Sequence, residues 1–491
     1  MRALNAFRFG IAVPFLAVFL FFLSGCSSST NNVITPPPGQ IKHVIVIFQE
    51  NRTPDNLFQD SVLIGRGADI KSSGLNSTGQ TIQLQPTSLT QNYDLSHKHD
   101  AYLAQYDNGA MDGADKVFVA CPSGAANCPC SQYATQHGIS CPLPNPQYYY
   151  VDPAEAKPYF TMAETYTFGD AMFQNNQGPS FPAHQYIISG TSTMGSNAPN
   201  GNANLVIAEN PPKGLGGDIT AGCASDPSSI VRLIDITNPD PTTNETQDVY
   251  PCAEHPTLID VLDTNKVSWK YYTPGPGSIW TAPNAIQHLC GPDVLPPNAT
   301  ACTSADWKNN VIQPNNAQIL TDISGGKLAA VSWVIPSGQA SDHNISTDGS
   351  GPSWVASIVN AVGNSAYWKD TTIIVTWDDW GGWYDHVAPS QIAGNSYEQG
   401  FRVPLIVISP YAKAGYISHV HHDFGSILKF IEATFSLPAI GTGTYADASA
   451  DSLSDCFDFT QTPLTFTTIA APLKADYFLN NKEKALDPDD D

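Results

Sequence analysis

Basic side chains are scarce in this chain. Its 491 residues carry 22 Lys and Arg against 45 Asp and Glu, a formal charge of −23, and charged residues of both signs reach only 14%, where soluble domains average roughly 25%. No basic stripe interrupts the deficit, which argues against nucleic acid as a partner and against docking on an anionic membrane face. An acidic protein acting on anionic phosphates needs local compensation, and a bound cation is the obvious source. Internal repeats are missing, as are a phosphate-binding P-loop and the G-x-S-x-G elbow of an ordinary serine esterase. The one long apolar run, Ile11–Leu23, is short for a membrane span.

That run has another reading. Arg2 and Arg8 flank it, and it ends in Leu23-Ser24-Gly25-Cys26, which resembles the bacterial lipobox. Residues 1–26 therefore read as a lipoprotein signal peptide, with Cys26 lipidated and anchoring an exported protein on the periplasmic or outer side of the cell envelope. Residues 27–40 read as a tether, 41–475 as one catalytic domain with insertions, and 476–491 as an acidic tail. The stretches 195–255 and 274–318, rich in Asn, Pro, Thr and Gly, read as long loops or a cap over the site.

Nine cysteines follow Cys26. Cys121, Cys128, Cys130 and Cys141 cluster, as do Cys223, Cys252, Cys290 and Cys302, while Cys456 stands alone. Zinc could be held by the first cluster, but its Pro- and Gly-rich setting in an oxidising compartment favours disulfides. The odd number leaves one thiol over, and the connectivity stays open.

Four apolar runs read as buried strands of a parallel sheet: His43–Phe48, Leu328–Ile335, Thr372–Trp377 and Val403–Ser409. Helical patterns at Ser353–Trp368 and Gly425–Phe435 make the class α/β, with a central, mostly parallel sheet and long loop insertions. Each run is followed by polar residues: Glu50, Asn51 and Arg52; Asp342 and His343; Asp378, Asp379, Asp385 and His386; His419, His421, His422 and Asp423. Loops are polar in general. Acids joined by histidines after all four runs, in a chain with only 12 His, point to a site beyond the carboxyl ends of the strands.

Asp378 and Asp379 are adjacent at a strand end and would repel unless a cation sat between them. Glu50 and Asn51 add oxygen donors. Such a set suits calcium, magnesium or manganese, and added histidines move the choice toward zinc or iron. The plain alternative is a solvated acidic turn. Ser180, in Asn175–Thr191 (NNQGPSFPAHQYIISGT), is held between Pro179 and Phe181 on a stiff turn. It could act as a nucleophile if a metal or histidine lowers its pKa; taken alone, it is an ordinary turn serine.

Taken together, 42–58 (KHVIVIFQENRTPDNLF), 94–113, 178–191, 341–344 (SDHN), 372–389 (TIIVTWDDWGGWYDHVAP), 401–419 and 426–432 resemble the bacterial phospholipase C and acid phosphatase family of phosphoesterases, within the alkaline phosphatase superfamily. The resemblance implies an alkaline-phosphatase-like sandwich. It implies a divalent metal on Glu50, Asn51, Ser180, Asp378 and Asp379, and Ser180 as the metal-bound nucleophile. His97, His288, His343 and His386 would surround the phosphoryl group, with His386 or His343 protonating the leaving oxygen. Three departures stand out: Ala183-His184 replaces the family's Asn-Arg, Pro54 replaces an aromatic, and Phe424 replaces a histidine. They are expected to alter the substrate pocket and leave the metal core intact.

The resulting expectation is a metal-dependent hydrolase of phosphoric esters, of acid phosphatase or phospholipase C type, with a soluble ester or a phospholipid as substrate. The contrasting reading is a surface-binding lipoprotein that uses the carboxylates for a structural metal. No sulfatase-type C/S-x-P-x-R segment stands at the nucleophile position, which counts against sulfate esters.

Overall fold

The computed structural model describes residues 36–481 apart from 122–127, 129, 212–220, 246, 276–277 and 442. The expected signal peptide with Cys26, most of the tether and residues 482–491 of the tail lie outside the described residues. No helix among the described residues is long and apolar enough to cross a membrane.

Among the described residues nine strands build the main sheet: β1 (His43–Gln49), β2 (Thr167–Phe173), β3 (Trp269–Tyr272), β4 (Val311–Ile312), β5 (Val331–Val334), β6 (Thr371–Trp377), β7 (Arg402–Ile408), β8 (Tyr416–Ser418) and β9 (His422–Asp423). Their order is β4-β3-β5-β1-β6-β7-β2-β8, with β9 also on β2. All run parallel except β7, which is antiparallel to both β6 and β2. The sheet is therefore mixed, and the expectation of a parallel strand at Val403–Ser409 is corrected. The reason lies in the connection. Parallel neighbours need a crossover, usually helical, and no helix or strand lies between Trp377 and Arg402. The chain turns at the site edge and re-enters there.

β1 is an almost unbroken run of apolar residues because both of its faces are covered. Phe48 meets His184 and Phe424 at ring centroids of 4.9 and 5.1 Å, on helices α2 (Ser180–Ser189) and α4 (Phe424–Phe435). On β6, Trp377 meets Tyr159 at 5.1 Å, on α1 (Lys157–Thr165). In register, Phe48 pairs with Thr376 and Gln49 with Trp377, so Phe48 and Trp377 point to opposite faces. Helices thus cover both sides. α3 (Gly351–Gly363) packs against α1, and Trp354 of α3 meets Phe478 at 5.2 Å. That contact belongs to the helix Ala475–Asn480, so packed chain continues past residue 475. α4 starts on a reciprocal cap, Asp423 and Ser426 each bonding the other's backbone N–H at 3.1 Å.

The stretch 195–255 carries a three-stranded antiparallel sheet, Leu205–Ile207, Val231–Asp235 and Gln247–Val249. Disulfides join Cys223 to Cys252 and Cys290 to Cys302, and Cys121 to Cys128 and Cys130 to Cys141 in the other cluster; Cys456 is a buried free thiol.

Candidate metal and serine site

β1 and β6 are parallel neighbours, so the residues that follow them leave the sheet side by side. Glu50 and Asn51 emerge from β1, Asp378 and Asp379 from β6, and all four are fully buried. Asn51 turns the chain with φ 61°, a left-handed conformation that Asn tolerates better than most residues. This turn lets its backbone N–H donate to Asp378 Oδ1 at 2.9 Å. The same oxygen accepts from the N–H of Asp379 at 2.8 Å, and Asp379 Oδ1 accepts from the Gly381 N–H at 2.7 Å. A Cβ on Gly381 would lie 2.5 Å from Asn51 Cβ, so only glycine fits beside this turn.

Ser180 arrives from a different strand. β2 ends at Phe173, the buried loop 174–179 follows, and Ser180 is the first residue of α2, after Pro179. Its Oγ is 3.4 Å from Glu50 Oε2 and 3.5 Å from Asp379 Oδ2. A helix N-terminus favours negative charge, including a developing alkoxide. One turn further on, His184 projects from the same face. Its Nε2 is 3.2 Å from Glu50 Oε1 and 4.0 Å from Asp378 Oδ2. Burial lowers the His184 pKa to about 4, so the ring is neutral, the form that binds metals.

Glu50, His184 and Asp378 together offer three ligand atoms within 4.8 Å of one another. Two further observations fit a cation. Asp378 Oδ2 and Asn51 Oδ1 are buried without a hydrogen-bond donor, a costly state unless something positive sits there. Asn51 is also oriented: its Nδ2 lies 3.4 Å from His97 Nε2. The other ring nitrogen of His97 is 2.9 Å from the Leu95 carbonyl, which can only accept. Nδ1 therefore carries the proton, Nε2 accepts from the amide, and Asn51 Oδ1 is left for a ligand. These residues fit a divalent ion. His184 also corrects the expectation that Ala183-His184 alters only the substrate pocket, because this histidine is part of the candidate metal cluster.

His343 lies close by, its ring 6.0 Å from that of His97 and 6.1 Å from that of Trp280, with Nδ1 2.6 Å from the Asn344 carbonyl. The geometry thus gathers Glu50, Asn51, Ser180, Asp378, Asp379, His97 and His343, and adds His184. The two remaining expected histidines are each held by a pair of carboxylates. His386 is clamped by Asp55 at 2.7 Å and Asp69 at 3.1 Å, in a cluster with Asp385 and Arg402. Burial opposes its charge, yet the hydrogen bond and charge of Asp55 raise its pKa. His288 is clamped by Glu254 at 2.8 Å and Asp260 at 3.0 Å. Against the opposing effect of burial, these carboxylates raise its pKa to about 10. Arg52, prominent in the sequence, supports the site from below. It is buried and donates to the Asp342 and Leu89 carbonyls and to Asn56, and burial lowers its pKa to about 10.

The family model described as "Phosphoesterase family" matches residues 41–438, and the chain belongs to this family. Among curated proteins it is similar to Phospholipase C B of Mycobacterium tuberculosis, with 30% identity over 168 residues, 29% of this chain and 32% of that protein. Hemolytic phospholipase C of Pseudomonas aeruginosa is 24% identical over 339 residues, 61% of this chain and 41% of that one. Non-hemolytic phospholipase C of Burkholderia pseudomallei is 29% identical over 167 residues, 28% and 24% respectively. The match thus spans about a third of the length of the first of these relatives. A solved structure of an alkaline phosphatase superfamily protein from Vibrio parahaemolyticus aligns over 83% of this chain and 69% of its own at 10% identity and a TM-score of 0.33, too remote to argue from.

Proposed function

We propose that this protein hydrolyses phosphoric esters with Ser180 as nucleophile, on a divalent ion held by Glu50, Asn51, Asp378, Asp379 and His184. The observation that carries the reading is the convergence of Ser180 Oγ on Glu50 and Asp379 at 3.4 and 3.5 Å, beside buried oxygens that lack donors. When bound, the ion would supply Lewis-acid polarisation of a phosphoryl oxygen and a lowered pKa for a nearby hydroxyl. The chain's own residues do the rest. The α2 N-terminus favours charge developing on Ser180 Oγ as its proton passes to solvent; the oxygen attacks phosphorus while the ester oxygen opposite departs, leaving a phosphoserine that water then hydrolyses. His97 positions Asn51 through its Nε2. His343, with Nδ1 committed to the Asn344 carbonyl, is the candidate for giving the leaving oxygen its proton from Nε2 when the ring is charged. His386 and His288, clamped by carboxylates, are better suited to structural roles.

The relatives' names favour a phospholipase-C-type diester substrate, and we adopt that class with phosphomonoesters as the alternative. The lipobox reading favours export and envelope attachment through Cys26. The deciding experiment compares p-nitrophenyl phosphorylcholine with p-nitrophenyl phosphate, with and without chelator, for the wild type and Ser180→Ala. Chelator-sensitive release that Ser180→Ala abolishes supports the mechanism, and the preferred probe assigns the class. Turnover that survives in Ser180→Ala eliminates the covalent role.

A further inference from the structure

The histidine-rich segment after β8 and the lone thiol take no part in the site above, yet they meet. His422, in β9, is buried against the turn Ser454–Cys456. Its Nε2 lies 3.3 Å from Asp455 Oδ1, 4.0 Å from Cys456 Sγ and 3.0 Å from Ser418 Oγ. Cys456 Sγ is 3.6 Å from Asp455 Oδ1. On the far side of the ring, His422 Nδ1 lies 2.8 Å from Asp451 Oδ1. One ligand atom from each of His422, Asp455 and Cys456 falls within a 4.8 Å group, and none of these residues belongs to the serine site.

We propose that His422, Asp455 and Cys456 form a second, structural metal site for zinc or a similarly thiophilic first-row ion, with Ser418 Oγ or water completing the coordination. Three arguments carry it. The donor set, one thiolate, one imidazole and one carboxylate, is that of tetrahedral zinc rather than of calcium or magnesium. Bond lengths of that class at tetrahedral angles put ligand atoms about 3.3–3.6 Å apart, and the observed separations are 3.3, 3.6 and 4.0 Å, so a small closure at sulfur completes the triangle. The contact with Asp451 is the carboxylate–histidine pairing that fixes a metal-binding tautomer, with the proton on Nδ1 and the Nε2 lone pair toward the ion. Without metal, a charged His422 bracketed by Asp451 and Asp455 would account for the carboxylates. Packing in the hydrophobic core accounts for the thiol's burial; what a metal adds is a reason for Sγ to face both His422 Nε2 and Asp455 Oδ1.

Ion binding would release the Cys456 thiol proton, and any proton on Nε2, to solvent. The partly exposed Asp451 and Asp455 side chains, 28% and 21% accessible, offer the ion a way in. The donors come from two stretches, 418–422 and 451–456, so the ion would pin the segment after α4 to the edge of the sheet.

The test uses full-length protein stripped with chelator and titrated with Co²⁺, in the wild type, Cys456→Ser and Asp378→Asn. The expected result is a thiolate-to-cobalt charge-transfer band in the near ultraviolet. It should persist in Asp378→Asn and vanish in Cys456→Ser, and zinc content should fall by one equivalent in Cys456→Ser. Asp455→Asn, at a partly exposed turn position, gives a second route should the cysteine variant fold poorly: cobalt affinity should drop about tenfold or more. A wild type without the band, a band that persists in Cys456→Ser, or unchanged affinity in Asp455→Asn overturns the site.

Discussion

Two acid–histidine clusters gather around the residues that follow β1 and β6, and they differ in how their charge is met. In the first, Glu50, His184 and Asp378, the histidine is neutral and Asp378 Oδ2 has no hydrogen-bond donor. In the second, Asp55, Asp385 and His386, every carboxylate oxygen is satisfied. Arg402 donates to both oxygens of Asp385 at 2.8 and 3.0 Å, and Asp55 accepts from His386 and from the Lys71 N–H. Residue types are alike and the carboxylates of both are fully buried, so neither feature separates a ligand site from a structural one. The presence of a built-in cation does: the second cluster carries its own counter-charge, and the first leaves room for a foreign one.

The sharpest way to break this comparison is to remove one acid from the first cluster and the cation from the second. Asp378→Asn should cut turnover about a thousandfold or more, since a Lewis acid is worth several kcal/mol at the transition state, while leaving the metal-free fold about as stable as the wild type. Arg402→Met should do the reverse. It takes the guanidinium pair from the buried Asp385 and leaves His386 as the one side-chain cation on Asp55, which costs about 3–5 kcal/mol of stability. Urea unfolding of both variants, alongside turnover per folded molecule, reads the two effects. Equal destabilisation by both would collapse the distinction.

His184 sharpens it further. If this neutral ring is a ligand rather than packing for Phe48, His184→Gln should weaken metal affinity by about tenfold to a hundredfold with little change in the unfolding midpoint of the metal-free protein. Competition with a chelating dye measures the first and thermal denaturation the second. A midpoint shift with unchanged affinity would reassign His184 to the core.

How much of this could be read without coordinates depends on what each signal encodes. β1, β6 and α4 were legible because an apolar run or an amphipathic repeat reports burial directly. The direction of β7 was not, because an apolar run has no direction; the missing helical pattern between 378 and 401 was the available clue. β2 escaped notice because Gly169 and Asp170 break its run. Gly169 is there because a Cβ would press to 2.9 Å on Leu405 of β7, a tertiary fact with no local trace. In the site, the residues at the ends of adjacent strands were legible from position. His184 stood in plain view as a departure from the family pattern, and its four-residue spacing from Ser180 was the overlooked sign that both share one helical face. His288 and His386 rested on resemblance alone, and a histidine's role is set by neighbours that local sequence does not reveal.

The smallest expected effect concerns His288, a surface counterpart of the clamped His386. Burial disfavours its charge, but Asp260 and Glu254 outweigh this and raise its pKa to about 10 from an ordinary 6.5. Both carboxylates, despite burial, are held below their ordinary values by the same ring. The signs fix the pH window. The histidine's contribution is complete below about pH 6.5 and disappears as pH rises toward 10; that of the carboxylates is complete above about pH 5 and disappears in acid. His288→Gln should therefore lower stability most between about pH 5 and 6.5, by about 0.5–1 kcal/mol once solvent screening of this partly exposed trio is allowed for. The gap to the wild type should close by about pH 10, as thermal melts across the range would record. If the clamp on Glu254 and Asp260 is the whole role of His288, turnover per folded molecule should be unchanged. A selective loss of kcat, with an intact melting profile, would return His288 to the phosphoryl group and place the boundary between charged clamp and reactive site one residue too early.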